Sequence, residues 1–214
     1  NNVSGSSGSV SITVDTTVPA QPSITATSTI LSNHSAPTIE GTAEIGSTVN
    51  LFVDGSTIGI TTKADETSGA YTITTAELNV TDGDYYLTVS ATDEAGNESM
   101  ASEGLNLVVD TTAPPQPSIR TTTSLTNDST PTISGTAEAG STVTLFVNGV
   151  STGLTTTSDE TTEIFSLTTT SLLPDGTHLL GVSASDIFGN ESALASLPVE
   201  IDTTAPAQPA ITTT

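Results

Sequence analysis

The chain has no cysteine and no tryptophan, and Lys63 and Arg120 are its only basic residues among 214. Without thiols there is no disulfide staple, no zinc–thiolate site and no cysteine nucleophile, although this absence leaves the compartment open. Two cations make no footprint for a phosphate backbone, which excludes nucleic acid and an anionic membrane surface as partners. Three tyrosines and four phenylalanines leave the core to small aliphatic side chains. No run of about 18 apolar residues occurs and no leader segment is visible, so direct membrane insertion is not expected.

Against the two cations stand 24 Asp and Glu residues, for a net charge of −22. Nearly every carboxylate therefore lacks a side-chain counterion. Self-repulsion of this kind opposes compaction unless salt or a bound cation offsets it, and a divalent ion is the strongest local remedy.

A repeat organises the chain. Val14-Asp15-Thr16-Thr17-Val18-Pro19-Ala20-Gln21-Pro22 returns as Val109-Asp110-Thr111-Thr112-Ala113-Pro114-Pro115-Gln116-Pro117 and as Ile201-Asp202-Thr203-Thr204-Ala205-Pro206-Ala207-Gln208-Pro209. The Asp residues are 95 and 92 positions apart, too long for a solenoid unit and long enough for an independent domain. The expected divisions are residues 1–14, the last strand of a preceding unit; 15–109 and 110–201, two full units; and 202–214, the start of a following one. Both ends would then be orphan strands, which makes end-to-end strand exchange an alternative to a monomeric fragment.

Within a unit, Thr, Ser, Val and Ile dominate and apolar residues alternate at period two, the strand signature. In the second unit the strands are expected at Pro117 to Thr123, Thr130 to Ala137, Thr142 to Val147 and Ser151 to Thr157. Three more follow, around Phe165 and Leu167, around Leu180, Val182 and Ala184, and around Leu197, Val199 and Ile201. The first unit repeats the pattern with Ile39, Val49, Leu51, Tyr71, Ile73, Leu87, Val89, Leu105 and Leu107. Asp54-Gly55 and Asn148-Gly149 are tight-hairpin signals. The fold class is all-β: tandem seven-stranded antiparallel sandwiches of immunoglobulin type, joined by short proline-containing linkers that stay extended because proline restricts the backbone.

Alternating strand direction gathers acidic residues at one pole. In the first unit these are Asp15 in the entering linker, Glu44 in Thr42-Ala43-Glu44-Ile45-Gly46-Ser47, and Asp93 in Asp93-Glu94-Ala95-Gly96-Asn97. In the second they are Asp110, Glu138 and Asp186, and Asp202 repeats the linker position. Hard oxygen ligands from separate loops suit Ca²⁺, with carbonyls and water completing 6 to 8 positions, at an affinity of roughly 10⁻⁴ to 10⁻³ M. The plainer alternative is turn chemistry, in which the linker Asp closes an Asx turn and the loop acids are merely solvated. Asn97 and Asn190 are open to both readings, as ligands or as turn formers. Asp82, Asp84 and Asp175 fall in turns at the opposite pole, facing the next linker, where hairpin duty is expected and ligation across the junction is the alternative.

The motifs Pro131-Thr132-Ile133-Ser134-Gly135-Thr136-Ala137-Glu138-Ala139-Gly140-Ser141, Asp175-Gly176-Thr177-His178, Ala184-Ser185-Asp186 with Gly189-Asn190, and Val109-Asp110-Thr111-Thr112-Ala113-Pro114 resemble the bacterial Ig-like repeats of giant RTX-type surface adhesins. The resemblance covers essentially the whole chain. It implies an extracellular, cell-surface extender in a biofilm-type adhesin, partnered by neighbouring repeats, with Ca²⁺ stiffening the junctions. The linker Asp of that family maps to Asp15, Asp110 and Asp202, its loop Glu to Glu44 and Glu138, and its loop Asp to Asp93 and Asp186.

Two other functions remain in view. The units could bind a glycan, ice or a host receptor through threonine-rich faces such as Thr155-Thr156-Thr157, or serve as spacers in a secreted polysaccharide-degrading enzyme. Catalysis by the units is not expected. His34 aligns with Asp128 and His178 with Tyr85, so no nucleophile, base and orienting acid can be assembled twice.

Overall fold

A computed structural model describes residues 8, 11–26, 29–34, 36–74, 80–122 and 124–210. Alternation of apolar and polar side chains produces strands, and among the described residues no helix is long and apolar enough to cross a membrane. The chain separates into two compact units, Asn1–Asp110 and Thr111–Thr214.

The first unit contains β1 (Ser23–Ile24), β2 (Ile30–Ser32), β3 (Thr38–Thr42), β4 (Thr48–Val53), β5 (Ser56–Lys63), β6 (Ala70–Thr74), β7 (Gly83–Thr92) and β8 (Leu105–Val109). Its smaller sheet has the order β1-β3-β6 and its larger one β2-β8-β7-β4-β5. The second unit repeats this with β9 (Ser118–Ile119), β10 (Leu125–Thr126), β11 (Thr132–Thr136), β12 (Thr142–Val147), β13 (Val150–Thr157), β14 (Ile164–Thr168), β15 (Gly176–Ser185) and β16 (Ala195–Ile201). Its sheets run β14-β11-β9 and β10-β16-β15-β12-β13.

The strand expected over Pro117 to Thr123 is shortened to Ser118–Ile119, and an additional strand beyond that range, Leu125–Thr126, raises the seven strands expected in the unit to eight. Ser118–Ile119 pairs antiparallel with β11, whereas Leu125–Thr126 pairs parallel with β16 in the other sheet. Arg120 and Thr121 both donate their amides to the Ser134 carbonyl, at 2.8 and 3.2 Å. Two residues opposing one is a bulge, and it ends the first ladder and turns the chain across the sandwich. Thr123, at the end of the expected strand, lies outside the described residues, as does most of the strand expected over 1–14. Ile12 and Val14 of that segment are exposed. Of the expected start of a further unit, residues 211–214 also lie outside.

Each unit has its own core, supplied by the inward positions of both sheets. Ile39, Val49, Leu51, Ile73, Leu87, Val89 and Leu107 are buried in the first, and Ile133, Val143, Leu145, Phe165, Leu180, Val182 and Ile201 in the second. Each such side chain contributes roughly 1.5–3 kcal/mol on leaving water. The hairpin turns carry the expected left-handed pairs, with φ of 51° and 74° at Asp54 and Gly55 and of 52° and 78° at Asn148 and Gly149.

Gly41 and Gly135 have a steric reason to be glycine. A Cβ on Gly135 would overlap the Ser118 carbonyl oxygen and the Phe165 ring, and one on Gly41 would overlap the Ser23 carbonyl and the Tyr71 ring. Each aromatic ring thus occupies the space left by a missing side chain. Tyr71 uses the site for one more interaction, donating its hydroxyl to the Ser23 carbonyl at 2.8 Å.

The same corner is built from different residues in the two units. The Tyr85 hydroxyl donates to the carbonyl of Thr81, four residues earlier, at 2.8 Å. At the equivalent position His178 Nε2 lies 2.9 Å from the Pro174 carbonyl. Both side chains tie the start of the long strand to the turn before it, which accounts for a histidine that recurs only as a tyrosine.

Candidate functional site

Three loops of the first unit meet at one end of the sandwich: 43–47 between β3 and β4, 64–69 between β5 and β6, and 93–97 after β7. Ala43 donates its amide to Gly69 and Ala64 donates to Ser47, both at 2.9 Å. With Asp15, these loops line a cavity of about 410 Å³ that includes Glu44, Lys63, Glu66, Asp93 and Glu94. Lys63, one of the two basic residues, pairs with Glu66 at 3.1 Å on the open surface. An exposed pair of this kind stabilises by about 1 kcal/mol at most.

Each loop is shaped by its own hydrogen bonds. In 43–47 the amide and hydroxyl of Ser47 return to the Glu44 carbonyl at 3.0 and 2.7 Å, which leaves the Glu44 side chain projecting, where its Oε2 accepts from the Ala20 amide at 3.3 Å. Asp93 Oδ1 accepts from the Asn97 amide and Oδ2 from the Asn97 side chain, both at 2.8 Å. The same Asn97 Nδ2 donates to the Asp15 carbonyl at 3.1 Å. Asn97 is therefore a strut that joins the last loop to the entering linker. Its side-chain hydrogen bond is the main reason the Asp93 carboxyl is held below its ordinary value, with the loop amides adding to it.

Two of the three linker aspartates are seen to close Asx turns. Asp15 Oδ1 accepts from Thr17 at 2.9 Å and Asp202 Oδ1 from Thr204 at 3.0 Å. Asp110 follows β8, and its amide donates to the Ser32 carbonyl at 3.0 Å. In the second unit, Asp186 Oδ1 accepts from the Asn190 amide at 2.9 Å and Oδ2 from the Asn190 side chain at 2.8 Å, which repeats the Asp93–Asn97 arrangement. Glu138 lines a groove with Pro115, Gln116 and Glu163, and its carbonyl accepts from Ser141 at 2.7 Å and from the Ser158 hydroxyl.

Thus Asp15, Glu44 and Asp93, far apart in sequence, face one cavity. The donor set is entirely hard oxygen, which suits Ca²⁺ in kind. In position it is more open. Among the described residues, no three His, Cys, Asp or Glu side chains are grouped to hold a single ion. Asp93 already spends both oxygens on Asn97, and Asp15 spends one on Thr17.

Sequence reasoning passed over three features. Asp65 and Asp159 fold the loop between the fifth and sixth strands of each unit. Asp65 Oδ1 accepts from Thr67 and Ser68, and Asp159 Oδ1 from Thr161 and Thr162, at 2.6 to 3.0 Å. The repeated Asp-x-Thr-Ser/Thr spacing was the available signal. Asp175, expected to shape a turn or to add a ligand at the junction, also clamps the exit linker, accepting from the amide and hydroxyl of Thr203 at 2.9 and 2.7 Å and from the Thr204 hydroxyl at 2.8 Å. The third feature is a groove around Tyr86, considered below.

The sequence profile described as "Bacterial Ig-like domain" matches residues 9–111 and 118–203. No curated protein sequence matches the chain. Among solved structures, the fibronectin(III)-like modules of Clostridium thermocellum CbhA align at 17% identity and a TM-score of 0.53, over 94% of this chain and 99% of that one. A 1.5-MDa bacterial ice-binding adhesin aligns at 19% identity and a TM-score of 0.40, over 87% and 66%. A bacterial immunoglobulin-like domain from the M. primoryensis ice-binding adhesin aligns at 23% and 0.29, over 44% and 100%. The first speaks for a shared fold alone, and the other two are too loose to speak beyond resemblance.

Proposed function

The chain belongs to the bacterial Ig-like domain family, and from that premise we propose that its two units are a stalk segment of a bacterial cell-surface adhesin, an extracellular spacer rather than an enzyme, stiffened by Ca²⁺ where unit meets linker. The observation that carries this reading is the convergence of Asp15, Glu44 and Asp93 on one cavity, in a chain of net charge −22 with two basic residues. A dication there offsets carboxylate repulsion and ties the entering linker to two loops of its own unit. Binding requires the Glu44 and Asp93 carboxylates to draw together and give up their contacts with Ala20 and Asn97. That cost is consistent with weak affinity in the extracellular range of roughly 10⁻⁴ to 10⁻³ M.

Repetition supports the mechanical half of the reading. The same acidic positions, Asp110, Glu138 and Asp186, recur in the second unit, and the linker motif recurs a third time at Asp202. Prolines 19, 114, 115 and 206 keep each linker locally extended without metal, and calcium fixes its angle and, with that, the reach of the array. The natural partners are neighbouring repeats of the same chain, with the fragment monomeric.

The test is thermal unfolding and small-angle scattering in calcium and then in chelator. Calcium is expected to raise the unfolding midpoint, because a ligand that binds only the folded state stabilises it by mass action, and to lengthen the particle. Asp93→Asn, which keeps the Asn97 contact partly intact while removing charge, is expected to lose most of that response. Identical melting and scattering in calcium and chelator would sink the metal half of the proposal.

A further inference from the structure

At the end of the first unit opposite the acidic cavity, a groove of about 440 Å³ is lined by Thr29, Asp54, Asp84, Tyr85, Tyr86 and Asn106. Its volume falls in the usual range for small-molecule sites. Tyr86 is 49% exposed although it sits in the middle of the large sheet. Its ring lies across Gly104, where any Cβ would overlap the ring and hydroxyl. The hydroxyl end of the ring is therefore seated on the Gly104 backbone, while about half of the residue stays open to solvent.

Polar side chains line the same groove. Asn106 is the direct cross-strand partner of Tyr86, and Asp84 is paired with Val108 in the same ladder. Asp54 is anchored by two backbone bonds to Tyr86, its amide to the Tyr86 carbonyl at 2.8 Å and its Oδ1 to the Tyr86 amide at 2.9 Å. The Tyr85 hydroxyl is committed to Thr81, so Tyr86 supplies the available aromatic surface.

The geometry points to a binding site for a neutral saccharide ring, stacked on Tyr86 with its hydroxyls bonded to Asn106, Asp54 and Asp84. A pyranose presents an apolar C–H face and a polar edge, which matches an aromatic face with its negative quadrupole ringed by planar polar groups. The Asn106 amide supplies both donors and an acceptor, and the two carboxylates accept from hydroxyls. A net charge of −22 repels uronic and sialic acids, which restricts the class to uncharged sugars.

The repeat provides an internal contrast. The second unit has the same strands but carries Leu179, Pro198, Asn148 and Thr177 at the positions of Tyr86, Asn106, Asp54 and Asp84. The aromatic platform, the Asn106 amide and both carboxylates are absent there together; Asn148 keeps only the two hairpin bonds of Asp54, at 2.7 and 2.8 Å to Leu179, so the remaining chemistry is not needed to build the sandwich. The inference goes beyond the stalk reading and holds with or without calcium.

The experiment is saturation-transfer NMR on the 214-residue chain, in chelator, with the methyl glycosides of glucose, galactose, mannose and N-acetylglucosamine, and with tetramethylammonium as a cationic probe. At least one glycoside is expected to show transfer to its ring protons, with Kd on the order of 1 mM. Tyr86→Leu copies the residue that the second unit tolerates at Leu179, so it keeps the fold, and it is expected to weaken binding at least tenfold, as is Asn106→Ala. Leu179→Ala in the second unit is expected to change nothing. The proposal is overturned if no glycoside binds, if Tyr86→Leu binds as well as the parent, or if tetramethylammonium is preferred to every sugar.

Discussion

Asp175 holds Thr203 by two hydrogen bonds, one from its amide at 2.9 Å and one from its hydroxyl at 2.7 Å, and so fastens the exit linker to a turn of the same sandwich. The Thr-Thr of the linker motif therefore has a structural task that does not involve a metal. The same residue types recur at Asp82, Thr111 and Thr112.

Replacing Asp175 with Ala should free the exit linker while leaving the second core intact, since Asp175 is exposed and lies outside the buried cluster. Amide exchange at Thr203 and Thr204 is expected to accelerate several-fold and proteolysis after Thr204 to become faster, with little change in the unfolding midpoint. Unchanged exchange at Thr203 would show that the clamp contributes nothing in solution.

Acid should destabilise both units through their loop carboxylates. The carboxyls of Asp65, Asp93, Asp159 and Asp175 are all held below the ordinary 3.8 by hydrogen bonds, chiefly from Ser68, Asn97, Thr162 and Thr203. A lowered folded-state value means stability that is present above about pH 4 and lost as pH falls through the depressed values. Melting followed from pH 5 to pH 2 should show this decline, and Asp159→Asn should reduce the part that belongs to the second unit, leaving the share of Asp175.

Alkali separates the units in the opposite direction. Burial pushes the Tyr71 hydroxyl up to about 12, so its contribution is complete below the unfolded value near 10 and is lost as pH rises toward 12. The first unit should weaken over that window and the second, with Phe165 in the same place, should lack this term. Tyr71→Phe should abolish the difference at a cost of about 0.5–1.5 kcal/mol for the lost bond to Ser23, readable by denaturant titration at pH 8 and pH 11.

Gly135→Ala should cost about 1–3 kcal/mol by overpacking, because the new methyl collides with the Ser118 carbonyl and the Phe165 ring. Gly149→Ala meets no neighbour and is destabilising only through its backbone angle. Urea unfolding of the two variants would distinguish steric from conformational cost, and equal losses would contradict this account of Gly135.

Much of the architecture was legible because it depends on local periodicity. Val143, Leu145, Leu180 and Val182 announce inward faces by alternation, and Asp54-Gly55 and Asn148-Gly149 announce hairpins by their backbone preference. The early end of the first strand and the added strand at Leu125–Thr126 were not legible, because the bulge at Arg120 and Thr121 is decided by a pairing with Ser134, distant in sequence. Asp93 and Asn97 could be read as turn or ligand from the chain alone. Only the tertiary structure puts the Asn97 amide between Asp93 and the Asp15 carbonyl.

What the sequence determined by itself is the repeat, the strand pattern, the excess of carboxylates and the absence of thiol or basic chemistry, since these are properties of composition and spacing. What only the tertiary structure decided is which distant residues share a surface: Asp15 with Glu44 and Asp93 at one end, Tyr86 with Asn106 and Gly104 on the sheet, Asp175 with Thr203 at the exit. The reason is physical. Alternation fixes the face to which a side chain points, but strand register and sheet pairing, set by the packing of the whole core, fix its neighbours.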